Sequence, residues 1–594
     1  MKFDMILVHA PSVYDFRSRD DILFAYLSNS DSVHISPIFE MPPVGILAIN
    51  QHLQKCGFVV EFFNVASQML RHPNFDVEEF FKKSPADYLG IDLHWQVHTH
   101  GALELFKLYK QIHPTAKTVV GGIASTYYHE ELITYPQVDY VVRGYDTLLP
   151  VEMLLRAANL PRELAKVPNL TWKDNTQVQV NSMTHVPQTY TAAVDWRKVF
   201  SGDRKGMTPY NLVIPQAGCE YSCRWCGGSR YFFQKYMGLE KGASRVQKTP
   251  ETLKAELESI AAATGGGHTV TMIDFWHEYP ALFELATDVF MDDKIDCVHF
   301  SLHRLPTVEK GRRMAVPAKA VIELSPDSHD LEVAKASGRG RYTMEQMEDF
   351  IDALIDDVYS FEIYFMLGLP KQTPANIDAT VDYCGHLLEK YRGKRVTPYV
   401  CPMLPFLDSG SEIYENPETW GYRLFHRTLE DHRRALLTLN WKDRLNYETQ
   451  WLSREQLVDS SYDAVRKLTL LKKQYGILPK SIANSIVRLI DYTRELLKDI
   501  EGYQGMPEGR EKNVMADGLK QKVLEYNRRQ FKTIRSQQRP IDLGFSRQQW
   551  FDTEEAFGKV LRGGPSLFVA SAAPERAAGP MPCASTDVVR IQGN

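Results

Sequence analysis

The chain contains few cysteines, little excess charge and no long hydrophobic run. Eight cysteines in 594 residues are too few for the disulfide framework of a small secreted protein. The formal net charge of −5 gives no reason to expect nucleic acid or an anionic membrane surface as the main partner. No stretch reaches the roughly 18 apolar residues that a membrane-spanning helix needs. We therefore expect no nucleic-acid partner and no membrane span.

The N-terminal segment MKFDMILVHAPS has only a short apolar run, which Asp4 and His9 interrupt. A secretory signal peptide needs a less polar segment than this. Hydrophobic residues make up 44% of the chain and charged residues 24%, the balance of a soluble globular protein, and we expect a cytoplasmic location. The length exceeds what one core usually supports, which predicts two or three domains.

Residues 1–150 alternate short apolar strands with amphipathic helices. Such alternation predicts a parallel sheet that is covered by helices on both faces. Five units in this length fit a doubly wound, flavodoxin-like (Rossmann-type) α/β domain, whose ligands bind beyond the carboxyl ends of the strands. Residues 151–205 resemble a connector with a predicted β-hairpin around Lys173, Asp174 and Asn175. The strand candidates are residues 3–10, 59–65, 86–95, 117–122 and 138–144.

A second strand–helix alternation occupies residues 206–411. It predicts a partial (β/α)6 barrel with its site at the carboxyl ends of the strands. Residues 412–562 are mostly helical in pattern, and residues 563–594, rich in Ala, Gly, Ser and Pro, are expected to form a disordered tail. The six strand candidates are residues 210–215, 269–275, 296–303, 319–325, 360–368 and 396–403.

Three of the cysteines are clustered directly after the first of these strands, with the spacing Cys219-x3-Cys223-x2-Cys226. Three thiolates on one loop can bind three irons of a [4Fe–4S] cluster, which leaves the fourth iron open to a substrate or cofactor. A structural zinc site would instead need four ligands, and His268 and His277 lie in no recognisable ligand pattern. A cluster used only for structure or electron transfer is the other alternative. The remaining five cysteines are scattered and are expected to be buried or incidental thiols.

The three-cysteine spacing, with Trp225 directly before the last cysteine, resembles the signature of the radical S-adenosylmethionine (SAM) enzymes. In that family the open iron binds the amino and carboxylate groups of SAM, and an electron from the cluster cleaves SAM to methionine and a 5′-deoxyadenosyl radical. The segments IELSPDS (322–328) and YFMLGLPKQT (364–373) resemble its fourth- and fifth-strand segments. The resemblance implies cysteine ligation of the cluster and SAM contacts from Gly227, Gly228, Ser229, Glu323, Ser325 and Gly368.

A flavodoxin-like domain before such a barrel resembles the cobalamin-binding (B12-binding) subfamily over roughly residues 1–440. The matching segments are HAPS, MPPVGILAI, GGIAST and RGYD, which would surround the corrin and its nucleotide tail. Glycines there would let the tail lie close to the backbone. The residues implied to bind cobalamin are Ser12, Pro43, His94, Trp95, Gly121, Gly122 and Gly144.

The lower axial ligand of the cobalt stays open. Methionine-synthase-like domains carry Asp-x-His-x-x-Gly after the first strand, and the corresponding HAPSVYDFRS lacks that motif. We therefore expect no histidine ligand from the first loop. After the third strand, His94 or Trp95 is the candidate to face the corrin, whereas His98 and His100 are expected to be solvated or hydrogen-bonded.

Two further segments carry charged residues near strand ends. Asp274, His277 and Glu278 follow the second barrel strand, as either site residues or part of an aromatic-lined loop. Arg339 and Arg341 follow the fourth strand, where one could pair with a carboxylate of SAM or substrate. A solvated basic loop is the simpler expectation for this pair.

The resemblance implies a cobalamin-dependent radical SAM methyltransferase with a [4Fe–4S] cluster, SAM and cobalamin as cofactors. It would move a methyl group from SAM, through methylcobalamin, to a substrate carbon activated by the 5′-deoxyadenosyl radical. One alternative keeps the cofactors but catalyses a non-methylating rearrangement, cyclisation or oxidation, and another is a non-enzymatic cobalamin or iron–sulfur sensor. The expected partners are a small-molecule or peptide substrate, of a class that the residues do not identify, and a reductant such as flavodoxin or ferredoxin.

Overall fold

The computed structural model describes most of residues 2–536. Pro43, the residues Asp274, His277 and Glu278, and the expected disordered tail lie outside the described residues. The described ranges are 2–24, 44–72, 74–175, 177–199, 210–240, 243, 245–264, 269–273, 280, 283–284, 295, 297–315, 320–402 and 407–536.

The first sheet has seven strands in the order β2-β1-β3-β4-β5-β6-β7. The first five are parallel, and their order 2-1-3-4-5 is that of flavodoxin-like sheets. All five predicted strands are therefore present. Their bounds are β1 (Phe3–His9), β2 (Val60–Asn64), β3 (Ala86–Asp92), β4 (Lys117–Gly121), β5 (Tyr140–Val142), β6 (Leu170–Asp174) and β7 (Gln177–Val180).

The central strands of this sheet are apolar because both of their faces are covered. Side chains alternate across a strand, so Met5 and Leu7 of β1 join one hydrophobic core, whereas Ile6 and Val8 join the core on the opposite face. A strand buried on both sides reads as a continuous hydrophobic run. The apolar run therefore made the strand β1 recognisable from the sequence alone.

The predicted hairpin in the connector is present and continues the first sheet. Strand β6 pairs antiparallel with β5, and β7 pairs antiparallel with β6. The expected boundary at residue 150 lies inside the helix Leu148–Arg156. The first sheet therefore continues through Val180, past the expected boundary.

The second large sheet has six parallel strands in the order β15-β14-β13-β12-β11-β8. Parallel strands that follow one another in chain order are the arrangement of (β/α) barrels, and all six predicted strands are present. A short antiparallel pair, β9 with β10, stands beside the cysteine loop. The bounds are β8 (Tyr210–Val213), β9 (Gln216–Gly218), β10 (Arg245–Gln247), β11 (Thr269–Ile273), β12 (Cys297–Leu302), β13 (Ala320–Asp327), β14 (Ser360–Leu367) and β15 (Val396–Pro402).

Helices connect the strands of both sheets, and two capping boxes illustrate why they begin where they do. Thr343 and Thr373 each accept a hydrogen bond from the backbone of the third helical residue, whose side chain bonds back to the cap, which satisfies donors that a helix start otherwise leaves open. The helices up to residue 390 are Val44–Lys55, Val65–Arg71, Val77–Lys83, Thr99–Ile112, Ile123–Tyr127, His129–Leu132, Leu148–Arg156, Pro161–Leu164, Trp196–Val199, Arg230–Tyr236, Pro250–Thr264, Val308–Met314, Leu331–Ala336, Met344–Leu354 and Pro374–Lys390.

The C-terminal part is mainly helical, as predicted, but it also contains a small antiparallel pair, β16 (Tyr422–Leu424) with β17 (Tyr447–Thr449). Its last helix returns to the N-terminal domain, where the side chain of Asn527 accepts from Phe24 N at 3.0 Å and donates to Ile22 O at 2.6 Å. None of the helices in the described ranges is long and apolar enough to cross a membrane. The helices of this part are Glu412–Glu415, Leu429–Ala435, Arg454–Gln474, Lys480–Gln504 and Arg510–Ser536.

Candidate cofactor sites

The three clustered cysteines lie on the loop between β9 and the helix Arg230–Tyr236. Cys223 is buried, Cys219 and Cys226 are partly buried, and all three pack with Tyr221 and Trp225 in one local cluster. The loop therefore groups the three thiols that the sequence singled out.

Each of the three sulfurs accepts a hydrogen bond. Tyr221 N donates to Cys219 Sγ at 3.4 Å, Gly228 N to Cys226 Sγ at 3.3 Å, and Arg339 Nε to Cys223 Sγ at 3.0 Å. Burial raises the pKa of the Cys223 thiol, and the charge of Arg339 opposes that rise. Hydrogen bonds to sulfur stabilise thiolates, the form in which cysteine ligates a metal.

The donor set of this loop fits an iron–sulfur cluster. Such clusters are held by cysteine thiolates, and the loop brings three cysteine side chains into one local cluster. A structural zinc site is usually completed by four protein ligands.

Arg339 is a buried cation beside the cysteines. Its side chain is 7% exposed and lies 3.6 Å from Asp327 Oδ2. The expectation of a solvated basic loop is therefore wrong for Arg339, because its guanidinium is buried. The carboxylate of Asp327 and the hydrogen bond to Cys223 Sγ offset the cost of burying the charge. Arg341 is exposed.

Asp408 connects the cysteine loop with the loop that follows β3. One of its carboxylate oxygens accepts from Gly227 N at 2.9 Å, and the other accepts from Trp95 Nε1 at 2.9 Å. Burial raises the pKa of this carboxyl, and these two hydrogen bonds oppose that rise. The sequence analysis offered no signal for this residue.

A row of polar side chains follows one face of β12, β13 and β14. Glu323 Oε1 accepts from Ser301 Oγ at 2.8 Å and from Ser325 Oγ at 3.1 Å. His299 Nε2 lies 3.6 Å from Glu323 Oε2 and 3.5 Å from Glu362 Oε2. The structure thus places the predicted residues Glu323 and Ser325 together and adds His299 and Glu362, which the sequence analysis missed. The signal in the sequence was weak: each lies two positions from another polar residue of its own strand, His299 from Ser301 and Glu362 from Tyr364.

A second polar cluster lies at the carboxyl ends of β1 and β3, the point where the strand order reverses and where sheets of this kind bind ligands. His9 Nδ1 donates to Asp92 Oδ1 at 3.0 Å, and His94 Nδ1 donates to Asp92 Oδ2 at 2.7 Å. Burial raises the pKa of Asp92, but His9 and His94 outweigh that effect and hold it well below its usual range. His94 is one-third exposed, whereas His9 is fully buried. The sequence analysis missed His9 and Asp92.

The expectation for His98 and His100 is confirmed in part. His98 Nδ1 donates to Ala10 O at 3.0 Å, and His100 Nδ1 accepts from Tyr14 N at 3.2 Å. Both are buried rather than solvated. Burial lowers the pKa of His98 well below its usual value and that of His100 to about 3, so they are neutral.

Gly122 requires glycine for a reason internal to the fold. Its φ is +121°, and a Cβ there would lie 2.6 Å from backbone atoms of Leu93 and His94. The neighbouring Gly121 is less restricted, with Val142 O at 3.5 Å from such a Cβ. The glycine therefore lets the loops after β3 and β4 approach each other at the candidate cobalamin crevice.

Four other predicted site residues have clear structural partners. Ser12 is buried and its carbonyl accepts from Gly101 N. Gly144 N donates to Thr126 Oγ1 at 3.0 Å, and Ser229 caps the helix Arg230–Tyr236. Gly368 donates to Gln372 Oε1 at 2.7 Å and accepts from Tyr422 Oη at 2.7 Å. Cofactor contacts from these four residues remain predictions.

The comparisons with known proteins agree with this arrangement. Residues 33–153 match the family model described as the B12 binding domain. The prediction of a B12-binding domain in the N-terminal part is therefore confirmed. The described part of this match contains β2 to β5, with Asp92 at the end of β3 and His94 in the loop after it.

Two solved structures share the fold of the chain. The radical S-adenosylmethionine methyltransferase TsrM from Kitasatospora setae, with cobalamin and a [4Fe–4S] cluster bound, aligns with a TM-score of 0.54 at 14% identity, over 83% of this chain and 100% of that one. The cobalamin-dependent S-adenosylmethionine radical enzyme OxsB, with aqua-cobalamin bound, aligns with a TM-score of 0.51 at 12% identity, over 94% of this chain and 80% of that one. The chain thus has the fold of cobalamin-dependent radical SAM enzymes.

A curated relative adds a weaker likeness. An uncharacterized methyltransferase of Pyrococcus horikoshii is 28% identical over 171 residues, which are 27% of this chain and 36% of the relative. The chain thus matches about a third of the length of that relative.

Proposed function

We propose that this protein is a cobalamin-dependent radical SAM methyltransferase. The observation that carries the proposal is the three-cysteine loop, whose sulfurs each accept a hydrogen bond and which Asp408 links to the B12-binding domain. When bound, the cluster, SAM and cobalamin supply the radical and methyl-transfer chemistry, while the protein binds and orients them and excludes water.

Cys219, Cys223 and Cys226 are proposed to hold three irons of a [4Fe–4S] cluster. The backbone N–H groups of Tyr221 and Gly228 and the guanidinium of Arg339 point at the sulfurs. Such donors stabilise the thiolate ligands and tune the reduction potential of a cluster. Three protein ligands leave one corner for the amino and carboxylate groups of SAM.

SAM is proposed to contact Gly227, Gly228 and the row that contains Glu323 and Ser325. Glu323 is held in place by two hydroxyl groups yet remains partly exposed, so it can accept hydrogen bonds from ribose hydroxyls or an amino group. His299 and Glu362 extend this row along the sheet. They are candidate substrate contacts.

Cobalamin is proposed to bind in the crevice beyond β1, β3 and β4. His94 and Trp95 follow β3 there, and both side chains are partly exposed. Gly121 and Gly122 border the same crevice, and Ser12 and Gly144 follow β1 and β5. Asp92 fixes the orientation of the His94 ring, a role that carboxylates commonly have beside histidines at metal sites.

The test is an anaerobic reconstitution with iron, sulfide and hydroxocobalamin, followed by methyl-labelled SAM and a reductant. Formation of both 5′-deoxyadenosine and S-adenosylhomocysteine, with label on the bound corrin, is the expected result. Deoxyadenosine without methyl transfer would identify a non-methylating radical enzyme instead. Neither product from fully loaded protein would indicate a sensor.

A further inference from the structure

The segment 407–415 lies between three parts of the molecule. On the N-terminal side Tyr128 Oη hydrogen-bonds to Ser409 Oγ at 2.6 Å. On the cysteine-loop side Ile413 N donates to Arg224 O at 2.9 Å. On the C-terminal side Leu407 N donates to Asn446 Oδ1 at 2.7 Å. The segment is therefore a junction rather than a simple exit from the sheet.

Asp408 is the residue of this junction that touches both candidate cofactor loops. Its two oxygens are used separately, one for Gly227 N in the cysteine loop and one for Trp95 Nε1 in the loop after β3. Trp95 and Asp408 are 313 positions apart in the chain. One carboxylate thus joins two loops from different sheets.

The packing around Gly227 shows that this approach is close. A Cβ at position 227 would lie 3.1 Å from Asp408 Cβ and 3.4 Å from Asp408 Oδ2. Glycine therefore lets the carboxylate reach the backbone directly beside the ligand Cys226. Next to Trp95, Gln96 is also hydrogen-bonded to the junction, through Ser409.

We propose that Asp408 is a positioning residue that couples the cysteine loop to the loop after β3. This inference takes the identity of the two cofactors from the proposed function, but the coupling itself belongs to the protein. A carboxylate suits the task because it offers an acceptor to each donor. The corresponding amide offers one acceptor oxygen and turns an NH2 group toward the other donor, so it cannot bridge the two loops.

The coupling is tested by hydrogen–deuterium exchange of the full chain without cofactors, in peptides that cover residues 93–98 and 219–229. Asp408→Asn is expected to raise exchange in both loops by about tenfold or more, because hydrogen bonds to charged groups are among the stronger ones. Trp95→Phe keeps the aromatic ring but loses the donor, and it is expected to raise exchange in the cysteine loop as well. The double variant should exchange no faster than Asp408→Asn alone.

Matched controls are Trp172→Phe, which loses an indole hydrogen bond to Asn181, and Asp378→Asn, which removes an exposed aspartate. Both should leave the two loops unchanged. The proposed coupling is wrong if Trp95→Phe leaves hydrogen–deuterium exchange of the cysteine loop at the wild-type rate. It is also wrong if the effects of Asp408→Asn and Trp95→Phe on exchange add in the double variant.

A second readout uses the reconstituted holoprotein. Trp95→Phe is expected to shift the EPR spectrum of the reduced cluster, although Trp95 lies on the loop after β3, whereas Trp172→Phe is expected to leave it unchanged. An unshifted spectrum in a fully loaded Trp95→Phe protein would overturn the proposal. Failure of the wild type to take up iron or cobalamin would refute the proposed function, and the exchange experiment would still decide the coupling.

Discussion

The guanidinium Nε of Arg339 donates a hydrogen bond to Cys223 Sγ over 3.0 Å. The same side chain faces Asp327, which is 1% exposed. A buried cation thus stands between a thiol and a carboxylate, and it compensates the charge of Asp327 while it donates a hydrogen bond to Cys223. Through Arg339, the cysteine loop is connected with Asp327 at the end of β13.

Arg339→Met is expected to destabilise the protein by about 3 kcal/mol or more, because it leaves the buried Asp327 uncompensated. It should also lower iron uptake, since Cys223 loses its donor. Urea unfolding and iron analysis after reconstitution measure the two effects. Arg341→Met is the matched control, because both guanidinium groups lie 5.6 Å from the Tyr221 ring, whereas Arg341 is exposed. Equal behaviour of the two variants would contradict the charge-compensation argument.

Replacing any one of Cys219, Cys223 and Cys226 by Ala is expected to reduce the bound iron from about four per chain to nearly none, because a cluster with two protein ligands is weakly held. Iron and sulfide analysis and the visible absorbance measure the loss. Cys384→Ala provides the control, since Cys384 lies in the helix Pro374–Lys390. An unaltered iron content in the Cys223 variant would refute the ligand assignment.

Gly122→Ala is expected to cost about 3 kcal/mol or more, because the new Cβ meets the backbone of Leu93 and His94 and the φ of +121° is strained for alanine. Gly57→Ala is the comparison, since φ is +90° and nothing lies within 4 Å of its Cβ. There, the backbone strain alone is expected to cost about 1 kcal/mol. Chemical unfolding measures the loss of unfolding free energy in both variants. Similar losses would show that the loops after β3 and β4 do not depend on close contact at Gly122.

His432 is expected to make stability depend on pH. Burial lowers its pKa from 6.5 to about 4. The neutral ring is consistent with its partners, because Nδ1 donates to Thr428 O and Nε2 accepts from Asn446 Nδ2. The unfolded chain binds the proton below about pH 6.5 and the folded chain only near pH 4, so stability is complete above pH 6.5 and falls as the pH drops.

Between pH 7 and pH 5 this histidine alone is expected to account for about 2 kcal/mol of lost stability. Other groups titrate in the same range, so the measurement is the difference between the wild type and His432→Gln in urea unfolding at the two pH values. The variant should be less stable at pH 7 but should lose less on acidification. An identical pH dependence in both proteins would show that His432 does not contribute.

The strand–helix alternation and the cysteine spacing were readable in the sequence because both are local. Strand β1 is buried on both faces, and its central residues 5–8 form an uninterrupted apolar run. By contrast, His299, Glu323 and Glu362 come together only through the register of β12, β13 and β14, where Ser301 lies opposite Glu323 and Glu323 lies opposite Glu362. Register between strands more than 20 residues apart leaves no local pattern.

By itself the sequence determined that two parallel α/β units follow one another and that three thiols share one loop, since nearest neighbours along the chain decide periodicity and spacing. Only the tertiary structure decided which groups surround those thiols. Arg339 reaches Cys223 across 116 positions, and Trp95 reaches Asp408 across 313. Contacts at such separations depend on how the sheets pack. The packing buries Arg339, where the sequence suggested a solvated loop, and a buried charge needs a charged partner such as Asp327.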